Sequence, residues 1–113
     1  MSKEELAPFL KWGSYKSQDQ NNPDVLELQV METETFPTAY STNVKVLQKV
    51  DGNWKEIVLP LKSNESNNAI LLQQWQKNEN KGLVKPGKKF LLKTWLAKTK
   101  KKNWPIRRFV LEF

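Results

Sequence analysis

Alternating apolar and polar side chains predict β-strands over most of the chain beyond residue 24. In residues 25–35 the apolar positions first fall at every second residue, the pattern of a strand with one buried face. The predicted inward side chains are Leu26, Leu28 and Val30. Continued alternation would bury Glu32 and Glu34, so we expect a bulge or bend near residues 31–33.

A two-residue turn joins the next two predicted strands. Asp51-Gly52 lies between the alternating residues 43–50 and 53–61, and Asp-Gly in that setting predicts a tight hairpin. The core-side pairs of this register are Val46 with Ile57 and Val44 with Leu59. The pairs on the opposite face are Lys49 with Trp54, Leu47 with Glu56 and Lys45 with Val58. The register therefore predicts a tryptophan beside lysines on the face away from the core.

A helical period replaces the alternation in residues 69–78. Leu71 and Leu72 lie four and three positions before Trp75, so these side chains share one helix face. Before them Ser66, Asn67 and Asn68 are candidate N-cap residues. The glycine in residues 80–82, Asn-Lys-Gly, predicts the end of the helix.

The chain closes with a second predicted hairpin, whose strands are residues 89–97 and 104–113. Its tip, residues 98–103, reads Lys-Thr-Lys-Lys-Lys-Asn. On the first strand the predicted inward residues are Phe90, Leu92 and Leu96, and the outward ones are Lys89, Leu91, Lys93 and Trp95. On the second strand the predicted inward residues are Phe109, Leu111 and Phe113, alternating with Arg108, Val110 and Glu112.

The first 23 residues fit the alternation less well. Ser2 and Glu5 have the spacing of a capping box, which predicts a short helix to about Lys11. The polar residues 14–24 then predict a loop. Residues 1–23 are therefore expected to form an N-terminal arm or a short helix plus loop, and residues 24–113 a single β-domain. A chain of 113 residues is long enough for one such core and too short for two.

Composition removes several classes of function. The chain has no cysteine and no histidine, so it lacks thiolate and imidazole metal ligands and the commonest general base. We see no paired carboxylates in a recognisable frame, and we therefore expect neither an enzyme nor a metal or cofactor. No apolar run approaches the roughly 20 residues of a membrane helix, and the charged N-terminus does not resemble a secretory signal. We expect a cytoplasmic protein, nucleoid-associated or otherwise intracellular, with no membrane partner.

Charge is distributed very unevenly along the chain. Residues 1–60 carry 6 lysines and 9 acids, a net charge of −3, whereas residues 61–113 carry 13 Lys/Arg and 3 acids, a net charge of +10. Such an asymmetry favours a surface that binds a polyanion. A generally lysine-rich protein would also show part of this excess.

The order of elements, three strands, a helix and two further strands, resembles the OB-fold. Residues 83–95, Leu-Val-Lys-Pro-Gly-Lys-Lys-Phe-Leu-Leu-Lys-Thr-Trp, are similar to the approach to the fourth strand in single-stranded-DNA-binding and replication-protein-A-like OB domains. The resemblance covers roughly residues 24–113 and implies a mainly β, five-stranded barrel with a helix between strands 3 and 4. Two departures are the lack of a Trp-Gly pair after the third strand and the lack of an acidic or Gly/Arg-rich tail.

The resemblance also implies where a ligand would bind. OB-folds bind single strands across their second and third strands, between the loop joining strands 1 and 2 and the loop joining strands 4 and 5. Here those loops are residues 35–41 and 98–103. The candidate nucleic-acid-binding residues are Phe36, Tyr40, Lys45, Lys49, Trp54, Lys93, Trp95, Lys98, Lys100, Lys101, Lys102, Trp104, Arg107 and Arg108. Lysines would neutralise phosphates while aromatic rings stack on bases.

Each candidate also has a plainer interpretation. The lysine-rich tip could be a solvated turn that resists edge pairing, the tryptophans could fill the core, and an arginine could pair with Glu112. The favoured prediction is a non-catalytic protein that binds single-stranded nucleic acid, DNA rather than RNA. The alternatives are a protein-interaction or assembly module within a nucleoprotein complex, with a protein partner or a second copy, and a duplex-binding architectural protein.

Overall fold

The computed structural model describes residues 7–66, 68–98 and 105–113. Its elements are a 3-10 turn, Trp12–Ser14, then β1 Asp24–Val30, β2 Phe36–Pro37, β3 Ser41–Val50, β4 Asn53–Ser63, α1 Ile70–Asn80, β5 Lys89–Ala97 and β6 Ile106–Glu112. The predicted mainly β fold, with a helix after the long hairpin, is confirmed. Six strands replace the predicted five because Phe36–Pro37, expected in a loop, pairs with β3.

The six strands form one antiparallel sheet in the order β4, β3, β1, β5, β6, with β2 beside β1 on the same edge of β3. Within the described ranges β4 and β6 do not pair with each other. The sheet therefore has an open seam between its first and last long strands.

The turn at Asp51-Gly52 forms as predicted. Asp51 has φ 51° and Gly52 has φ 80°, the left-handed values that a type I′ hairpin requires at both central positions. The cross-strand pairs are Val44 with Leu59, Lys45 with Val58, Val46 with Ile57, Leu47 with Glu56 and Lys49 with Trp54. Every pair matches the predicted register.

The alternation also predicted the faces of β1, β5 and β6 correctly. The inward side chains Leu26, Leu28, Val30, Phe90, Leu92 and Leu111 are buried, and Phe109 and Phe113 pack against them half-buried. After Val30 the chain bends, so Glu32 and Glu34 stay exposed as expected. The core consequently lies on one side of the sheet, and most side chains on the other side stay at least partly exposed.

Helix α1 covers one end of this core. Leu71 and Trp75 are buried, and the Trp75 ring meets Phe90 and Phe113 edge-on at 5.9 and 6.0 Å between centroids. The Gln74 side chain donates to the Phe109 carbonyl and accepts from the Leu111 N–H, both at 2.8 Å, and so occupies the free edge of β6. The N-cap is Ala69 rather than a predicted cap residue, and the Asn68 side chain instead accepts from the Ile70 N–H. Asn67 lies outside the described residues.

The predicted N-terminal helix is wrong for residues 7–11, which are extended. Val58 donates to the Pro8 carbonyl at 3.0 Å, and the Leu10 N–H donates to the Val58 carbonyl at 2.9 Å. A strand edge leaves backbone groups unpaired, and pairing with β4 satisfies them while Leu10 enters the core. Val58, predicted on the face away from the core, is fully buried beside this segment. The capping box at Ser2 lies outside the described residues.

Candidate nucleic-acid interface

The side of the sheet away from the core is called the outer face below, and it carries the outward residues of β1, β3, β4, β5 and β6. Half-buried apolar side chains alternate on it with cations that are exposed or half-buried. Its half-buried apolar members include Leu47, Trp54, Leu91 and Trp95, and its lysines are Lys45, Lys49, Lys89 and Lys93. This mixture of flat apolar surface and positive charge is what stacking on bases and pairing with phosphates requires.

Trp54 is the centre of this face. Lys49 pairs with it directly across the β3–β4 hairpin. The Nζ atom of Lys89, from the start of β5, lies 5.6 Å from the Trp54 ring centroid. Two cations thus flank one indole, and Leu91 and Glu27 join all three in lining a shallow hollow of about 230 Å³.

Acidic residues partly neutralise the positive charge of the outer face. Glu112 pairs with Lys93, with a closest N–O distance of 3.0 Å, and Glu32 lies 4.0 Å from Lys45. The arginine predicted as a partner for Glu112 is therefore replaced by a lysine. Both pairs are partly exposed, and such ion pairs contribute little to stability. A phosphate can replace the carboxylate at little cost to the fold.

A second feature, the seam cleft, occupies the gap between β4 and β6 with a volume of about 430 Å³. Trp12 and Phe109 line it on one side, with ring centroids 4.9 Å apart in an edge-to-face contact. Pro60 and Lys62 of β4 line it on the other, and Tyr40 stands at the rim with 81% of its surface exposed. The cleft therefore combines three aromatic rings with a lysine.

Hydrogen bonds hold the Tyr40 loop in place. Asn43 is fully buried, and its side-chain amide donates to the Phe36 carbonyl, the Ser41 carbonyl and the Thr38 hydroxyl. Its oxygen accepts from the Ser41 hydroxyl at 2.6 Å. A buried amide with every bond satisfied specifies one backbone path.

A second set of bonds ties the same loop to the turn after β4. The Asn64 side chain donates to the Thr38 and Ala39 carbonyls at 3.1 Å, and the Asn64 N–H donates to the Tyr40 carbonyl at 2.8 Å. The backbone of Tyr40 is thus fixed while its ring projects into solvent.

Arg107 lines the seam cleft and does not lie on the outer face. Its guanidinium donates to the Trp12 and Tyr15 carbonyls at 3.0 and 2.7 Å and to the Thr94 hydroxyl at 3.1 Å. Burial lowers the pKa of Arg107 below its usual value, and the nearby Asp24 carboxylate opposes that shift. Three of its donors therefore fasten the N-terminal arm to β5 and β6, which gives this predicted phosphate contact a structural role.

The structure brings together only some of the predicted site residues. Lys49 and Trp54 meet on the outer face, whereas Tyr40 and Arg107 line the seam cleft. Eight residue-to-residue steps of β4 lead from Trp54 to Lys62, and at about 3.3 Å each they separate the two features by roughly 25 Å.

The remaining predicted residues are spread around these two features. Trp95 and Arg108 are a half-buried cross-strand pair on β5 and β6, Lys93 lies beside Val25 and Val110, and Lys98 is exposed after β5. Phe36 is half-buried in β2, and Lys45 lies beside Glu32. Lys100, Lys101, Lys102 and Trp104 lie outside the described residues.

Four contributing residues were missing from the predicted site: Lys89, Lys62, Trp12 and Phe109. Lys89 shares the outward phase of Leu91 and Lys93, so the alternation contained the signal for it. Trp12 both packs against the core, the plainer interpretation of the tryptophans, and lines the cleft. Phe109 was identified only as a core residue, and Lys62 had no sequence signal beyond its charge.

Other site types find no support in the part of the chain that the structure describes. Those residues contain no group of three or more acids that could hold a metal ion. None of their helices is long and apolar enough to cross a membrane. Comparison with known proteins gives no match to any family model, curated protein or solved structure.

Proposed function

We propose that this protein is a non-catalytic single-stranded nucleic-acid-binding protein whose binding surface is the outer face around Trp54. The observation that carries the proposal is the half-buried Trp54 indole with Lys49 paired to it and Lys89 5.6 Å from its ring. A base stacks on the indole, and the two ammonium groups neutralise the phosphates on either side of that base.

The strand pairing supports a barrel of the OB type behind this surface. The pairs β1–β3, β3–β4, β1–β5 and β5–β6, with a helix between β4 and β5, follow the order expected of that fold, and β2 is an added short strand. OB barrels are partly open and bind oligonucleotides on the face of their second and third strands. In this chain those strands are β3 and β4, which carry Lys49 and Trp54. The same resemblance favours DNA over RNA.

Charge supports the same ligand. The net charge of +10 in residues 61–113 belongs to the segment that contains Lys89 and Lys93. Contacts between lysines and phosphates release counterions from the nucleic acid, so the affinity is expected to fall steeply as salt rises.

A protein partner or a second copy of the chain is the second candidate ligand. Val25 and Val110 both flank Lys93 on the outer face and are 51% and 37% exposed. Exposed apolar side chains on one sheet face are typical of protein interfaces when they form a patch. This candidate predicts that partner proteins still co-purify with the chain after nuclease treatment of a lysate. It also predicts that the chain itself has no affinity for free oligonucleotides.

Tryptophan fluorescence titration tests the proposal. The protein is titrated with oligo(dT), oligo(U) and a DNA duplex at about 50 and 200 mM salt, the range over which phosphate contacts lose most affinity. We expect quenching by oligo(dT) at the lower salt, weaker quenching by oligo(U) and by the duplex, and a marked loss of affinity at the higher salt. Absence of quenching by both single strands at low salt would exclude the proposed function, and tighter duplex binding would favour an architectural role.

A further inference from the structure

The seam cleft has the chemistry of a binding site that the outer face does not account for. We propose that it binds one nucleotide unit, with the base against the ring of Tyr40 and the phosphate at Lys62. The proposal rests on the proposed function, because it takes the ligand to be a unit of the same nucleic acid.

The first support is the way Tyr40 is presented. An exposed ring on a loose loop would lose conformational freedom when it bound a base. The bonds from Asn43 and Asn64 fix the backbone of this loop before any ligand arrives, while 81% of Tyr40 stays exposed. A buried amide and a second asparagine thus fix the backbone that carries a side chain with little buried surface. This arrangement favours binding over packing as the role of Tyr40.

The second support is the shape and lining of the cleft. Its volume of about 430 Å³ lies within the range of small-ligand sites and suits one base with its sugar. The edge-to-face pair of Trp12 and Phe109 forms an apolar wall, and Pro60 forms another on the β4 side. Planar aromatic ligands bind well between such walls, and the rim provides Tyr40 as a third ring.

The third support is charge. Lys62 Nζ donates to the neighbouring Ser63 carbonyl at 3.2 Å, an exposed local contact that a phosphate can replace. Arg107 also lines the cleft, and its bonds to Trp12 and Tyr15 hold it there. A fixed arginine and an adjustable lysine together favour an anionic ligand over a neutral one.

Binding of adenosine 5′-monophosphate, thymidine 5′-monophosphate, adenosine and inorganic phosphate to the full chain tests this inference. Two-dimensional ¹⁵N NMR reports both the affinity and the residues affected. We expect both mononucleotides to bind more tightly than adenosine or phosphate and to shift the amide signals of Tyr40, Ser63 and Arg107. If inorganic phosphate alone bound as tightly as the mononucleotides, the cleft would be a site for anions without recognition of the base. That result would overturn the inference.

Variants assign the binding to named side chains. Tyr40→Ala is expected to weaken mononucleotide binding by about 5-fold to 150-fold, the value of one stacked base, while Tyr40→Phe keeps the ring and the binding. Lys62→Gln is expected to weaken binding, whereas Lys77→Gln on the exposed surface of α1 removes the same charge without that loss. Unchanged affinity in both Tyr40→Ala and Lys62→Gln would overturn the inference.

The inference and the proposed function can fail separately. If oligonucleotides quench fluorescence but mononucleotides neither bind nor shift the cleft signals, the seam cleft is excluded and the outer face stands. If mononucleotides bind at Tyr40 while oligonucleotides fail to bind, the cleft is a free-nucleotide site and the assignment to a nucleic-acid strand is overturned.

Discussion

The ammonium nitrogen of Lys89 lies 5.6 Å from the centroid of the Trp54 ring, across the two strands that separate β5 from β4. Two hairpins thus contribute to one place on the outer face: the β3–β4 hairpin provides the Trp54 ring, and the β5–β6 hairpin provides the Lys89 charge. A cation near an indole gains from the ring quadrupole and remains available to an anion at the same site. The juxtaposition places an aromatic surface and a positive charge, the two groups that the proposed function requires, within one side-chain length of each other.

Removing the Lys89 charge is predicted to weaken single-strand binding and its salt dependence. In Lys89→Gln the slope of log affinity against log salt should fall in magnitude by about 0.7, the value of one phosphate contact on a single strand. The free energy of unfolding should change by less than about 0.5 kcal/mol, because the side chain is exposed. Fluorescence titration at several salt concentrations measures the slope.

The control for Lys89→Gln is Lys77→Gln on α1, which removes the same charge from another surface. Its slope should stay close to that of the unmodified protein. Equal slopes in the two variants would mean that Lys89 acts only through net charge and makes no phosphate contact of its own.

The buried amide of Asn43 is predicted to control the Tyr40 loop. Asn43→Ala leaves the buried Ser41 hydroxyl without its acceptor, and an unsatisfied buried group costs about 1–3 kcal/mol. We expect a lower melting temperature and faster amide hydrogen exchange at Tyr40 and Ser41. Thr35→Ala, an exposed residue of the same connection, is the control and should leave both unchanged. A loss of stability without faster amide exchange at Tyr40 and Ser41 would contradict the claim that Asn43 positions the Tyr40 loop.

Arg107 is predicted to stabilise the fold in a way that lysine cannot replace. Its planar guanidinium reaches the Trp12 carbonyl, the Tyr15 carbonyl and the Thr94 hydroxyl at once, which a single ammonium cannot do. Arg107→Lys should cost about 1.5–3 kcal/mol, the worth of a hydrogen bond to a charged group, in urea unfolding.

Arg108→Lys is the matched control for Arg107→Lys. Arg108 faces outward beside Trp95, so the change should stay within about 0.5 kcal/mol. Similar losses in the two arginine variants would show that the bonds from Arg107 to the arm contribute nothing specific.

Local patterns predicted much of this fold. The Asp51-Gly52 turn specified the β3–β4 register because both left-handed residues lie within the turn itself. The strict alternation of β5 and β6 predicted which residues face the core because a strand buries every second side chain. The same alternation places Arg107 in phase with Phe109 and Leu111, so its inward position could also have been predicted.

Features that depend on distant partners could not be predicted in this way. The segment Pro8–Leu10 is extended because it forms backbone hydrogen bonds with the unpaired edge of β4. The residue pattern of 7–11 contains no local indication of that distant partner. The contact of Lys89 with Trp54 depends on β1 lying between two hairpins. Asn43 belongs to no apolar period, so the network that fixes the Tyr40 loop had no signature in the sequence.

The central claim is that Trp54 stacks on bases, and the paired variants Trp54→Ala and Trp75→Ala test it most directly. Trp75 is fully buried, and its truncation should cost about 3–5 kcal/mol of stability. Trp54→Ala should cost less stability than Trp75→Ala, because the Trp54 ring is only half-buried, and should weaken oligo(dT) binding by about 1–3 kcal/mol, the worth of one stacked base. A Trp54→Ala protein with unchanged oligo(dT) affinity would contradict the account.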